Sequence, residues 1–331
     1  MQIKPSFLIT IDTEGDNLWS RPRITTTENA AYLLRFQNLC EKYGLKPTYL
    51  TNYEMASSSV FQKMGKDIIK RRTGEIGMHL HAWDMPPVFK LTEDDVRFHP
   101  YLIEYPEKVM RQKIEIMTDR LENLFGVKML SHRAGRWSFD ERYAKLLIEF
   151  GYKVDCSVTP HISWESQQGD PQKKGGTDYT KFPENAYFID PLDISCPGNS
   201  AFLEIPVSVN NKFALINNLA SSPIFSRIVL VRKISNHFSP KFWLRPNGEN
   251  LKQMLGCLKN ATASKRDYVE FMLHSSELMP GGSPKFKSES SIEHLYVCLE
   301  NLFKEASLNF TGSTLFEYYI KFTGNLNERQ Y

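Results

Sequence analysis

Short apolar runs alternate with amphipathic stretches along most of this chain. Phe7-Leu8-Ile9-Thr10-Ile11 has the length and near-continuous apolar character of a strand buried on both faces. It stops at Asp12-Thr13-Glu14-Gly15-Asp16, three carboxylates within five residues. A helix is predicted over 28–44, with apolar Ala31, Leu34 and Leu39 and a stop at Gly44. Pro47-Thr48-Tyr49-Leu50-Thr51 reads as a second strand, and a helix at roughly 57–72 leads to a third strand at 75–81. Pro86-Pro87 ends any regular element there. A long amphipathic helix over 106–125 stops at Gly126. After it come a short strand at 129–133, a helix at 139–150 ending at Gly151, and a strand at 153–158. Strand followed by helix, repeated about every 30–50 residues, predicts a parallel sheet or barrel.

From 159 to 200 the pattern lapses into a long loop region punctuated by Pro160, Gly169, Pro171, Gly175, Gly176, Pro183, Pro191, Pro197 and Gly198. A loop of this length in a compact domain usually serves a function. A strand resumes at 202–209. Within 211–235 lies an apolar stretch with a basic end, 224–233, which reads as a core or covering helix. A membrane-surface or partner face is the lesser alternative for it. A helix at 249–260, a strand at 269–274, a loop at Pro280-Gly281-Gly282 and a helix at 289–305 follow. The expectation is a single barrel domain over 1–331, with an inserted loop and helical segment at about 159–260.

Composition alters this picture little. With 331 residues, 41% apolar and 24% charged, the chain can bury a large core as an ordinary soluble protein. A net charge of +3, with no basic cluster interleaved with aromatics, argues against nucleic acid as a partner. Cys40, Cys156, Cys196, Cys257 and Cys298 are scattered, odd in number and free of Cys-x-x-Cys pairs, which fits unbridged thiols in a reducing compartment. The first apolar run is too short for a signal peptide, and no run approaches the ~20 residues of a membrane span. A cytoplasmic location is the resulting expectation.

Candidate chemistry concentrates at the strand ends. Two of the eight histidines, His79 and His81, stand one residue apart behind a short apolar run and a glycine. On a strand they project from the same face, and two imidazoles beside a carboxylate make half of a divalent-metal site. The other predicted strands end in Asp12 and Glu14, in His132 and Arg133, in Asp155, and in His274. Titratable groups recurring at the same end of successive buried strands are what a (β/α) barrel collects into an active site.

These motifs, in this order, resemble those of the polysaccharide deacetylase (NodB-like) family of carbohydrate esterases, in a variant form. The first is Thr10-Ile11-Asp12-Thr13-Glu14. The second is Gly77-Met78-His79-Leu80-His81, where the usual spacing of four would put the second histidine at Trp83; His81 is the natural replacement and Asp84 the fallback. The third is His132-Arg133-Ala134-Gly135-Arg136-Trp137. The fourth runs from Gly151 through Asp155 to Pro160, and the fifth is Leu273-His274-Ser275. The resemblance spans residues 7–277 and implies a distorted (β/α)7-type barrel that removes an N- or O-acyl group, usually acetyl, from a sugar, using a divalent metal.

Carried onto this chain, the family pattern implies Glu14, His79 and His81 as ligands of zinc, or of cobalt, nickel or iron. Asp12 becomes the general base, Arg133 its orienting partner, and His274 the group that protonates the leaving amine. Asp155 either holds His274 in the right tautomer or serves as a strand-end hydrogen-bonder. Arg136 and the aromatic walls Trp83 and Trp137 become substrate contacts. His132 is expected to be a packing residue. The expected substrate is a cytoplasmic, acylated precursor of surface polysaccharide or lipopolysaccharide. The alternatives are a non-sugar amide hydrolase of the same superfamily (allantoinase-like) and an inactive sugar-binding protein.

Overall fold

The computed structural model describes residues 4–20, 22, 24–83, 85–167, 169, 175–210 and 242–329. The stretch 224–233 and Asp84 therefore lie outside the described residues. At the centre is β1 (Ser6–Thr13), buried along its whole length. Phe7, Ile9 and Ile11 belong to the large apolar layer beneath the helices, while Leu8 belongs to a smaller cluster inside the barrel, on the side of Thr10 and Asp12. A strand covered on both faces needs apolar residues of both parities, which is what the sequence supplies.

The chain then runs through α1 (Leu33–Lys42), β2 (Pro47–Thr51), α2 (Ser59–Arg71), β3 (Glu75–Leu80), a single turn α3 (Asp95–Phe98), α4 (Glu107–Phe125), β4 (Ser131–Ala134), α5 (Glu141–Glu149) and β5 (Val154–Asp155). There follow β6 (Tyr187–Asp190), β7 (Asp193–Pro197), β8 (Leu203–Glu204), β9 (Val209–Asn210) and β10 (Phe242–Trp243). The chain finishes with α6 (Leu251–Ala263), β11 (Tyr268–His274), α7 (Glu289–Asn309), β12 (Thr311–Ser313) and α8 (Leu315–Arg329). Local signals set several boundaries. Asp140 caps α5 by accepting from Tyr143 N at 2.8 Å, and α4 ends at Gly126 with φ +69°, a left-handed turn that glycine adopts without strain.

The principal sheet runs β11-β1-β2-β3-β4-β5-β8 with every neighbouring pair parallel; β6 adds antiparallel to β8, and β7 antiparallel to β6. These seven parallel strands curl into the expected distorted barrel. Between β8 and β11 single bonds replace a ladder: Glu270 N donates to Ser208 Oγ at 2.9 Å, Tyr268 Oη to Pro206 O at 2.7 Å, and Met272 N to Leu244 O at 3.2 Å. The inner cluster, including Leu8, Leu50, Val154, Leu203 and Tyr268, is completed by Leu315 and Tyr318 of α8. That places α8 at one mouth of the barrel; the strand ends that carry the candidate site open at the other. Among the described residues no helix is long and apolar enough to cross a membrane.

Two expectations need correction. The region 159–200 is not loop throughout, because it holds the β6–β7 hairpin. Pro191 sits in that hairpin's turn and Pro197 at its end, so the punctuation that reads as loop marks a turn and a strand limit. The segment at 28–44 opens as a 3-10 turn at Glu28–Tyr32 before α1 begins.

Candidate metal centre and active site

Strand parity assembles the site. In β3, Ile76, Met78 and Leu80 pack into the outer layer, which leaves His79, and beyond the strand His81, facing the interior. In β1 the same parity sends Asp12 and then Glu14 inward, and the parallel register sets Asp12 beside His274 of β11. Ser275 ties the two strand ends together: its Oγ accepts from Glu14 N and donates to Glu14 O, both at 3.1 Å.

Glu14 Oε2 lies 3.0 Å from His81 Nε2 and 3.5 Å from His79 Nε2, and the donor atoms of these three buried residues all fall within 4.8 Å of one another. His79 Nδ1 donates to the Arg133 carbonyl at 2.9 Å, which leaves Nε2 as the nitrogen aimed at Glu14. A backbone acceptor behind a histidine is the usual second contact of a metal ligand. His81 Nδ1 has no hydrogen-bond partner. Burial alone would raise Glu14, but His274, His79 and His81 outweigh it and hold the carboxylate well below its usual range. Burial pulls His79 down, yet Asp12 and Glu14 leave it above its ordinary value, whereas burial prevails at His81 and leaves it lower. Carboxylate and imidazole in this number suit zinc and its neighbours.

Asp12 is also buried. Burial would raise it, but Arg133, His79 and His274 hold it below its ordinary value. Arg133 Nη1 donates to Asp12 Oδ1 at 2.7 Å, while Asp12 Oδ2 faces His274 Nε2 at 3.6 Å. His274 Nε2 is 3.8 Å from Glu14 Oε1. On its far side, His274 Nδ1 lies 3.0 Å from Arg245 Nη2 and 3.4 Å from Glu277 Oε2, and Arg245 Nη2 donates to Glu277 Oε2 at 3.0 Å. Glu277 Oε2 also accepts from His274 N at 3.0 Å. Burial would raise Glu277, but Arg245 and His274 bring it down to about 2.

Asp155 does not hold His274. It accepts from His132 Nδ1 at 2.6 Å and from Ser157 N at 2.8 Å. Of the two roles expected for it, the structure supports the strand-end hydrogen-bonder. The reason is parity: Val154 and Cys156 face the barrel interior, so Asp155 faces outward with His132. His132 is wholly buried against Tyr143, Phe139 and Tyr152, as expected of a packing histidine. Asp16, the third acidic residue of the first cluster, is structural, accepting from Thr26 Oγ1, Glu28 N and Asn29 N.

A cavity of about 790 Å³ opens above these groups, within the ~300–1,000 Å³ usual for small-ligand sites. Asp12, Glu14, His79, His81 and His274 form its floor, with Trp83, Arg136 and Trp137 in its walls. Arg136 and Trp137 both have left-handed backbone, φ 55° and 60°, a strain of about 1–3 kcal/mol each for side chains of this size, of the kind found at ligand sites. Sequence reasoning missed several wall residues. Trp19 stands edge-on to His274 with ring centres 5.0 Å apart, and Trp164 lies parallel to Trp137 at 6.4 Å. Glu54, just past the end of β2, lines the same cavity with one carboxylate oxygen buried and unbonded. Glu277 carried a faint signal, an acid three residues after a strand-end histidine.

Compared by sequence, the chain matches no family model and no curated protein. Compared by structure, 95% of it aligns with 89% of a Mycobacterium smegmatis protein assigned as a polysaccharide deacetylase, at TM-score 0.51 and 15% identity. Looser alignments join 96% of it to 38% of 4-alpha-glucanotransferase from Thermococcus litoralis, at TM-score 0.49 and 12% identity. Another joins 96% of it to 91% of the Xyl-CE4 domain of a multidomain xylanase from the hindgut metagenome of Trinervitermes trinervoides, at TM-score 0.43 and 12% identity. The first likeness lies in the fold: the distorted barrel expected from the five strand-end motifs is the barrel of a protein assigned to polysaccharide deacetylation.

Proposed function

We propose that this protein is a metal-dependent hydrolase that removes an N- or O-acyl group, acetyl above all, from a sugar. One observation carries the reading: a single cavity joins a Glu14-His79-His81 cluster of metal-ligand geometry to Asp12 and His274, two proton-transfer groups held side by side at its floor. Glu14, His79 and His81 would hold a divalent ion, which would supply Lewis-acid polarisation of the acyl carbonyl and a more acidic water. Zinc fits this donor set, as do cobalt, nickel and iron.

The protein's own groups divide the remaining work. Asp12, kept ionised by Arg133, takes the proton of the attacking water at Oδ2, the oxygen that Arg133 leaves open. His274 Nε2 faces the cavity, and Glu277 Oε2, 3.4 Å from Nδ1, accepts the proton on that side, so the imidazolium gives its Nε2 proton to the leaving group and is left neutral. Glu277 and Arg245 fix the ring, one of the two roles the sequence suggests for Asp155. Trp83 and Trp137 offer apolar faces to the sugar and Arg136 a donor fork. The tryptophan-walled cavity supports a short saccharide, and we assign as substrate an acylated precursor of surface polysaccharide or lipopolysaccharide.

The purified protein should carry close to one divalent ion per chain. It should release acetate faster from small precursors, such as a UDP-linked N-acetyl amino sugar or N,N′-diacetylchitobiose, than from chitin or acetylated xylan. Asp12→Asn or His274→Ala should lower kcat by about 10²–10⁴-fold, the scale of a lost proton-transfer group, with the ion retained. Absence of any metal, or variants within a few-fold of wild type, would overturn the assignment; faster release from the polymers would overturn the choice of a precursor.

A further inference from the structure

Arg133 is wholly buried, and each of its three guanidinium nitrogens has a fixed partner. Nε donates to Cys156 O at 3.1 Å and Nη1 to Asp12 Oδ1 at 2.7 Å. Nη2 donates to Thr10 Oγ1 at 2.8 Å and to Glu270 Oε1. Thr10 Oγ1 in turn donates to Glu270 Oε1 at 2.9 Å. Glu270 lies in the middle of β11, inside the barrel and fully buried, and its second oxygen has no partner. A guanidinium beside an isolated carboxylate prefers to grip it with two parallel N–H groups, one on each oxygen. Here the fork is split between two carboxylates from different strands. Asp12 receives a single N–H on Oδ1, and its Oδ2 stays open.

We infer that Glu270, with Thr10, is a positioning residue that divides the Arg133 fork, so that Asp12 is held by one oxygen and keeps the other free for the reacting proton. The inference rests on the proposed hydrolase reading, and it concerns a residue that touches neither substrate nor metal ligand. Without Glu270, Nη2 has no anionic partner and turns onto Asp12, where a two-pronged grip covers both oxygens of the base. A glutamine at 270 still presents an oxygen to Nη2 and preserves the split.

The test compares Glu270→Leu, which fills the space without an acceptor, with Glu270→Gln, using N,N′-diacetylchitobiose or whichever precursor above the wild type hydrolyses fastest. Glu270→Leu should lower kcat at least tenfold with KM within twofold and the bound metal unchanged, and Glu270→Gln should restore kcat to within about threefold of wild type. Should Glu270→Leu not fold, Thr10→Val removes one member of the same bridge and should lower kcat about threefold. A folded Glu270→Leu with wild-type kcat, or a Glu270→Gln as impaired as the leucine variant, would overturn the inference. A crystal structure of Glu270→Leu gives a readout independent of activity: Arg133 should bind both Asp12 oxygens, and an Arg133 still on Oδ1 alone would also overturn it. If the wild type released no acid from any acylated sugar, the function would fail while this structural arm still decided the inference.

Discussion

At Gly135 the place of a side chain is taken by its neighbours. A Cβ there would lie 2.5 Å from Leu80 O and 2.6 Å from His81 Nδ1, so the ring of His81 is packed directly against the backbone of the turn after β4. Gly135→Ala should push that ring off Glu14 and weaken zinc affinity about 10–100-fold, the range for a disturbed ligand support, while the far side of the barrel stays intact. Zinc titration by calorimetry would check this, and unchanged affinity would remove His81 from the ligand set. The residues that pattern reveals are those whose chemistry is declared within a few positions, such as His79 and His81 on one face, or Asp12 and Glu14 at a strand end. Glu270, Arg245 and Trp19 stayed hidden because their meaning comes from contacts across the barrel, Arg133 to Glu270 spanning 137 positions. No local spacing encodes such a contact.

Among the elements, the strands and helices up to β5, the single turn α3 apart, followed from apolar runs and glycine stops, and the parity within each strand then decided which titratable groups meet. Asp155 shows the limit of a list of strand ends. It stands at the right end of its strand but on the wrong face, and only the inward Val154 and Cys156 reveal this. The C-terminal β12 and α8 went unread because Thr-Gly-Ser is too short and polar to declare a strand. Yet α8 supplies Leu315 and Tyr318, both essentially inaccessible, to the inner cluster. Leu315→Ala should therefore cost about 2–5 kcal/mol, the range for a buried leucine whose site cannot fully collapse. Urea denaturation measures it, and a loss under 1 kcal/mol would mean that α8 is not part of the cooperative core.

For the molecule as a whole, the interior of the barrel is charged where the strands are widest apart in sequence, and this links folding to pH. Burial raises Glu270 from its usual 4.5 to about 7, against the opposing pull of Arg133 and Thr10. A carboxyl raised on folding binds its proton more tightly in the native state, so its contribution is full below pH 4.5 and fades as pH rises through about 7. The difference corresponds to about 3–4 kcal/mol across that window, at roughly 1.4 kcal/mol per unit. Compared with wild type, Glu270→Gln should flatten the stability curve between these limits by about that amount, while acid-side losses from carboxylates such as Glu277 remain. Parallel slopes for the two proteins in urea unfolding across this range would show that Glu270 does not titrate there.

All five tryptophans of the chain gather at one place: Trp19, Trp83, Trp137 and Trp164 line the cavity, and Trp243 stands edge-on to Trp137 and Trp164 at 5.5 and 6.1 Å. No indole reports on the α8 end of the barrel or on the helical layer. The intrinsic fluorescence of the unlabelled protein is thus a local signal, blind to most of the fold and sensitive to what enters the cavity. A saccharide or quenching metal such as nickel can be titrated by emission alone, while an unfolding curve followed by the same emission tracks the mouth of the barrel and must be set beside circular dichroism before it speaks for the whole.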